Sequence, residues 1–579
     1  MSQPDNGVTT PLPPREGFLS PDNGGTEGGV KTIEGGGSTL EIMDTTLRDG
    51  EQTNGVSFVP HEKLSIARML LRDLHVDRIE VASARVSEGE KDSVKSICRW
   101  ARQAGMLDRV EVLGFVDGTT SIDWLNDCGC RTLNLLCKGS ERHLRYQLKK
   151  TLDEHVADIR RSMEYAAQCG ITVNIYLEDW SNGMKDSPDY VHDLVSAICG
   201  VTTPLHTREG FLSPDNGGTE GGVKTIEGGG SVGGGSARIM LPDTLGILNP
   251  DQVRAYVSQM VEWFPDLHFD FHAHNDYDLA VANVLAAVEA GCKGVHTSIN
   301  GLGERAGNAP LASVQAAIKD HLGLTTSIQE DKLNDAARLV ESFSGIAVPP
   351  NKPIVGESVF TQVAGVHADG DNKNNLYCND LLPERFGRKR EYALGKNSGK
   401  ANILNNLKEL GLELTPEQTR RVTDRIIELG DKKQLVTRED LPYIVNDVLK
   451  HATREERIRL RSYMVSTAYG LKPMASVKLE VNGEVYEESA MGDGMYDAFV
   501  RAVRHIYRDK LGRTFPWLTN YAVSIPPGGR TDALVQTTIS WTYNERSYRT
   551  HALDADQTEA AIKATIKMLN IIEDESFNS

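Results

Sequence analysis

Between residues 39 and 320, short apolar runs alternate with longer stretches of helical period. The runs 39–45, 76–82, 110–115 and 132–137 are rich in β-branched and apolar residues and predict strands. The same pattern returns at 172–178, 237–243, 268–274 and 294–300. Between them the apolar positions recur with helical spacing, for example over 61–73, 88–104, 151–169, 251–264 and 279–290. Eight strands alternating with helices over roughly 250 residues predict an α/β fold closed as a (β/α)8 TIM barrel. An open doubly wound sheet usually has fewer strands and often a glycine-rich loop after the first. The first strand here runs instead into Asp44-Thr-Thr-Leu-Arg-Asp49.

Two stretches interrupt the pattern. Residues 8–38 and 201–231 are near-identical copies that differ only at Pro13/His206 and Pro14/Thr207. Both are rich in glycine and proline and lack an apolar period, so they read as flexible linkers rather than structural repeats. We expect a disordered tail over 1–38 and a flexible insertion over 201–236 within a barrel spanning 39–321. The insertion falls between a helix ending near Cys199 and a strand starting at Ala237, which in a barrel is the face opposite the active site. Residues 322–470 read as mostly helical, with a glycine-rich stretch around 365–400. Residues 471–579 read as a separate α+β domain, with strands at Ala475–Val485 and 534–542 and helices at 494–509 and 556–570.

Composition narrows the functional classes. Of 579 residues, 39% are hydrophobic, enough for real cores and against wholesale disorder. No apolar run approaches the ~20 residues that cross a bilayer, so a membrane protein is not expected. A net charge of −18 repels phosphate backbones and argues against nucleic acid. The eight cysteines are scattered and lack the spacing of a zinc cluster or redox dithiol. Reduced thiols and an N-terminus without a signal-peptide pattern point to the cytoplasm.

Three motifs carry candidate chemistry. In Phe269-Asp-Phe-His-Ala-His-Asn-Asp276, the two-residue period of a strand turns His272 and His274 to one side, above Asp270. Two imidazoles so spaced make either an edge for a divalent metal or a pair of satisfied polar side chains. Asp44–Gln52 leaves the first strand with an arginine beside an aspartate. That arginine could neutralise a developing enolate, or the two could form a loop ion pair. Asn300-Gly-Leu-Gly-Glu-Arg-Ala-Gly-Asn308 leaves the eighth strand. Strands one, seven and eight are contiguous around a closed barrel, so all three motifs meet on one rim.

Together these motifs resemble the acyltransferase branch of the DRE-TIM metallolyases, which holds isopropylmalate, citramalate and homocitrate synthases. The resemblance covers roughly 39–579 apart from the insertion. It implies Asp49, His272, His274 and, more weakly, Asn308 as ligands of a divalent metal, Mg²⁺, Mn²⁺ or Zn²⁺. It implies Arg48 as the catalytic arginine. Glu178 and Thr244 match residues lining the substrate pocket, and His143 matches a histidine near the same rim. His367, in Gln362-Val-Ala-Gly-Val-His-Ala-Asp-Gly370, matches a histidine that reaches the site from the helical subdomain, often from a partner subunit. The alternative for His367 is a capping or interface histidine.

The implied reaction is a Claisen-type condensation of acetyl-CoA, the co-substrate, with a 2-oxo acid. The leading acid is 3-methyl-2-oxobutanoate, which gives 2-isopropylmalate; pyruvate, giving citramalate, is the alternative. A non-catalytic metal-binding amino-acid sensor is the reading from another class. The C-terminal domain resembles a regulatory dimer domain, implying a homodimer and a leucine effector. Two departures stand out: Asn397 where many relatives carry histidine, and Gly492-Asp-Gly-Met495 where relatives carry Gly-Asn-Gly-Pro.

Overall fold

The computed structural model describes residues 40–200, 238–373, 376–431, 436, 438–449, 457–524, 535–544 and 546–578. The expected tail over 1–38 and insertion over 201–236 lie outside the described residues. Eight parallel strands form a closed barrel in sequence order. They are β1 (Glu41–Asp44), β2 (Arg78–Ser83), β3 (Val110–Phe115), β4 (Thr132–Lys138), β5 (Thr172–Glu178), β6 (Arg238–Asp243), β7 (His268–Ala273) and β8 (Gly294–Thr297). Closure is direct, since β1 pairs with β2 through Met43↔Arg78 and with β8 through Met43↔His296.

Strand parity decides what each side of the barrel holds. Ile42, Ile79, Val81, Val112, Leu133, Leu135, Ile175, Leu241, Phe269, Phe271 and Val295 point outward and join the main core beneath the helices. Met43, Leu113, Tyr176 and Met240 form a smaller apolar cluster of their own. The surrounding helices begin on ordinary caps. Ser87 accepts from the Glu90 amide, and Thr151 and Asn249 pair reciprocally with Glu154 and Gln252.

Two boundaries move. The helix expected over 61–73 is an α-helix over Pro60–Arg68 followed by a wider turn over Met69–Asp73. The strand expected over 294–300 ends at Thr297, where Ile299–Gly301 turns once with Asn300 at φ 58°.

After the barrel, the helix Leu333–Ser344 packs into the main core through Leu333, Ala336, Ala337 and Val340; Gly365–Asn372 follows, and helices Lys400–Glu409, Pro416–Asp431 and Leu441–Leu449 share a small core around Ile403, Leu407, Val422 and Ile426. The mostly helical stretch 322–470 also holds a short parallel strand pair, Thr361–Gln362 with Glu391–Tyr392, and a longer strand at its end. Ile458–Ser466 is a strand, paired antiparallel with Met474–Val481. Its arginines and serines face water on an edge, which hides the strand pattern in the sequence. The C-terminal part is α+β: two three-stranded antiparallel sheets enclose a core with helices Met495–His505 and Gln557–Asn578. Among the described residues no helix is long and apolar enough to cross a membrane.

Candidate metal centre and active site

The metal motif assembles at the C-terminal ends of β1, β7 and β8. After β1 the chain folds tightly, with the amides of Arg48, Asp49 and Gly50 all donating to the Thr45 carbonyl at 2.9–3.1 Å. This turn aims Asp49 across the barrel mouth. Its Oδ2 lies 3.2 Å from His272 Nε2 and 3.7 Å from His274 Nε2. One ligand atom from each of the three residues lies within 4.8 Å of the other two, and all three residues are buried. Asn308 is brought beside His274 by a backbone β-bridge and is itself 1% exposed. The loop can return this tightly because position 307 is glycine. It sits at φ 87°, where a Cβ would fall 2.0 Å from the Gly301 carbonyl oxygen.

Asp49 Oδ1 and Asn308 Oδ1 are buried without a hydrogen-bond partner. Buried polar atoms are normally satisfied, so unclaimed oxygens beside two imidazoles fit a divalent cation. The donor set of nitrogen and oxygen suits Mg²⁺, Mn²⁺ or Zn²⁺. The electrostatics agree. Burial raises the Asp49 carboxyl, but Arg48 and His272 outweigh it and hold it well below the usual carboxylate range. Burial pulls His274 down to about 4 and also lowers His272, so both imidazoles are neutral near pH 7 and free to bind a metal.

Arg48 is held on two sides. Its Nε donates to Glu80 Oε2 at 2.5 Å, and its Nη1 lies 3.4 Å from Asp49 Oδ2. The guanidinium sits 5.8 Å from the Tyr176 ring centroid. Nη2 is buried without a partner, which leaves its N–H groups for a ligand.

The remaining predicted residues gather on neighbouring loops of the same rim. Glu178 pairs with Lys138. The Thr244 hydroxyl accepts from the Asp179 amide at 2.9 Å, and its carbonyl accepts from Arg305 Nη2 at 2.8 Å. His143 Nε2 lies 3.5 Å from Asp179 Oδ2. Asp179, at φ 65°, also accepts from Ser140 Oγ and Asn182 Nδ2, each at 2.7 Å, so it ties the loops after β4 and β5 together. His367 stands apart. It lies on the helix Gly365–Asn372, and its ring packs 4.3 Å from that of Tyr377, not against the metal group of its own chain.

Sequence reading missed Glu80, Tyr176, Lys138 and Asp179. A signal existed for Glu80: two opposite charges at inward parity, Arg78 and Glu80, alternating with apolar residues in Arg78-Ile-Glu80-Val-Ala.

Comparison with known proteins places the chain. The HMGL-like family model matches residues 39–340. A homocitrate synthase post-HMGL domain-like model matches 354–434, and a LeuA allosteric (dimerisation) domain model matches 435–573. The chain is 34% identical to a probable 2-isopropylmalate synthase of Methanopyrus kandleri, over 92% of this chain and 98% of that one. It is 33% identical to an (R)-citramalate synthase of Methanocaldococcus jannaschii, over 92% of this chain and 99% of that one. Relatives matched almost end to end, and a family model that takes in the whole barrel and all three motifs, make the chain a member of the HMGL-like family of enzymes, in the acyltransferase branch that carries a LeuA allosteric domain.

Proposed function

We propose that this chain condenses acetyl-CoA with a 2-oxo acid bearing a short apolar side chain, and then hydrolyses the thioester. The observation that carries this is the Asp49–His272–His274 group with a half-committed arginine beside it. Asp49, His272, His274 and Asn308 would hold a divalent cation, which would supply a Lewis acid for the 2-oxo acid. The free Nη2 of Arg48 donates to the enolate oxygen that appears when the acetyl methyl loses its proton. The enolate carbon attacks the keto carbon, and hydrolysis releases coenzyme A. Glu178, Thr244 and His143 line the mouth where the acid enters. An imidazole carries one nitrogen that can accept a proton and one that can donate, so we assign proton transfer to His367, delivered by the partner subunit of a homodimer.

The leading substrate is 3-methyl-2-oxobutanoate, which makes the product 2-isopropylmalate and the reaction the first committed step of leucine biosynthesis, in the cytoplasm. One observation favours the second reading, pyruvate to citramalate. Met43, Leu113, Tyr176 and Met240 crowd the barrel interior, with Leu136 packed against them and the Tyr176 ring 5.9 Å from that of His272. One alkyl branch in such a pocket is worth only about 1–3 kcal/mol.

Thiol release from acetyl-CoA across a panel of 2-oxo acids tests the proposal. The highest kcat/KM is expected with 3-methyl-2-oxobutanoate, and release should stop on chelation. A clear preference for pyruvate assigns citramalate instead. No release with any acid overturns the enzyme reading in favour of an amino-acid sensor. We assign feedback inhibition by leucine to the C-terminal domain; the same assay with leucine present checks it.

A further inference from the structure

Beneath the metal group, the barrel interior holds a run of hydrogen-bonded polar side chains that the condensation does not consume. It starts under His272, where Asp270 accepts from Arg78. Arg78 Nη1 donates to Glu111 Oε1 at 2.8 Å. Asn134 Nδ2 then donates twice, to Glu111 Oε2 at 3.0 Å and to Glu80 Oε1 at 2.9 Å. Glu80 Oε2 receives Arg48 Nε at 2.5 Å. Asn134 Oδ1 is also used, accepting from Asn174 Nδ2 at 2.9 Å. Asn134 is fully buried, as are Glu80 and Asp270.

We propose that Asn134 is a positioning residue for Arg48, acting through Glu80; this rests on the condensation proposed above. The chemistry of the gap dictates the residue. Two buried carboxylates, Glu80 and Glu111, face one another and need a donor for each. A carboxamide offers two N–H groups and an acceptor on one neutral plane. Aspartate there would set a third carboxylate among the first two. An apolar residue would leave an oxygen of each carboxylate unpaired, at the cost of a buried unsatisfied group. In either case Glu80 turns to find another partner and draws Arg48 with it. Arg48 Nη2 then leaves the place where the enolate oxygen forms. Burial raises the Glu80 carboxyl, but Arg48 and Asn134 together hold it below its ordinary value, in keeping with an ionised anchor.

The test compares Asn134→Leu with Asn174→Leu. Both residues lie in the same buried layer, but Asn174 touches the run only through the oxygen of Asn134. Asn134→Leu should lower kcat on the order of 10–100-fold, with metal affinity and the KM for the 2-oxo acid within about threefold of wild type. Asn174→Leu should keep kcat within about threefold. An active wild type with an equally active Asn134→Leu variant overturns the proposal. So does an equal loss in both variants, which marks general damage to the barrel. If the wild type turns over no acid, the condensation reading has failed, and a crystal structure of Asn134→Leu decides this one. Arg48 displaced from Glu80 with Asp49, His272 and His274 unmoved supports the positioning role; Arg48 still seated on Glu80 overturns it.

Discussion

In the proposed reaction, single residues at the rim divide between holding a cation and stabilising developing charge, and substitution should separate the two. Arg48→Lys keeps a positive charge but loses the fork that meets Glu80 and Asp49 together. Turnover should fall by on the order of 10²–10³, with metal content by elemental analysis unchanged. His272→Ala should lose the metal itself. A second prediction concerns Asp44, fully buried at the end of β1, where it accepts from the Thr46 amide at 2.9 Å. Burial pushes its carboxyl up to about 7, against about 3.9 in an unfolded chain. The folded protein therefore holds a proton that the unfolded chain releases. The contribution of Asp44 is least unfavourable below about pH 4 and costs stability as pH rises towards 7, by on the order of 4 kcal/mol. Asp44→Asn keeps the acceptor without the proton, so denaturant midpoints measured from pH 4.5 to 8 should be flatter than wild type.

Elements were legible in the sequence where burial on both sides made the apolar run continuous. All eight barrel strands fall within a few residues of the apolar runs that predict them, and the inward pair His272 and His274 follows from parity alone. In the C-terminal sheets the central strands Met474–Val481 and Val535–Tyr543 were legible too, but the four edge strands were not. Ile458–Ser466, Glu484–Met491, Trp517–Ser524 and Arg546–Asp554 carry charged or polar residues, and most of the first three faces water. Only cross-strand partners far along the chain make them strands. The Arg48–Glu80 contact was hidden for the same reason: it joins neighbouring strands across 32 residues of sequence. Packing inside the barrel leaves little slack. A Cβ at Gly294 on β8 would fall 2.1 Å from Asp270 Oδ1. Gly294→Ala should therefore destabilise the fold by about 1–3 kcal/mol, read from the shift in denaturant midpoint.

At the scale of the whole molecule, ion pairs fasten the C-terminal part to what precedes it. Arg549 meets Glu357 at 2.5 Å, and Lys567 pairs with Asp440. The rim residues and these pairs lie outside the insertion 201–236, whose part 201–231 nearly repeats 8–38. The insertion joins the helix Pro188–Cys199 to the start of β6, whereas catalytic side chains project from strand ends on the other face. Replacing 201–236 with a short loop of about six residues should leave kcat and metal content unchanged; a steady-state assay and elemental analysis check this. The underside of the barrel thus offers an attachment port: a fluorophore, affinity handle or entire guest protein spliced there could report on or immobilise the enzyme while its working mouth stays open to solution.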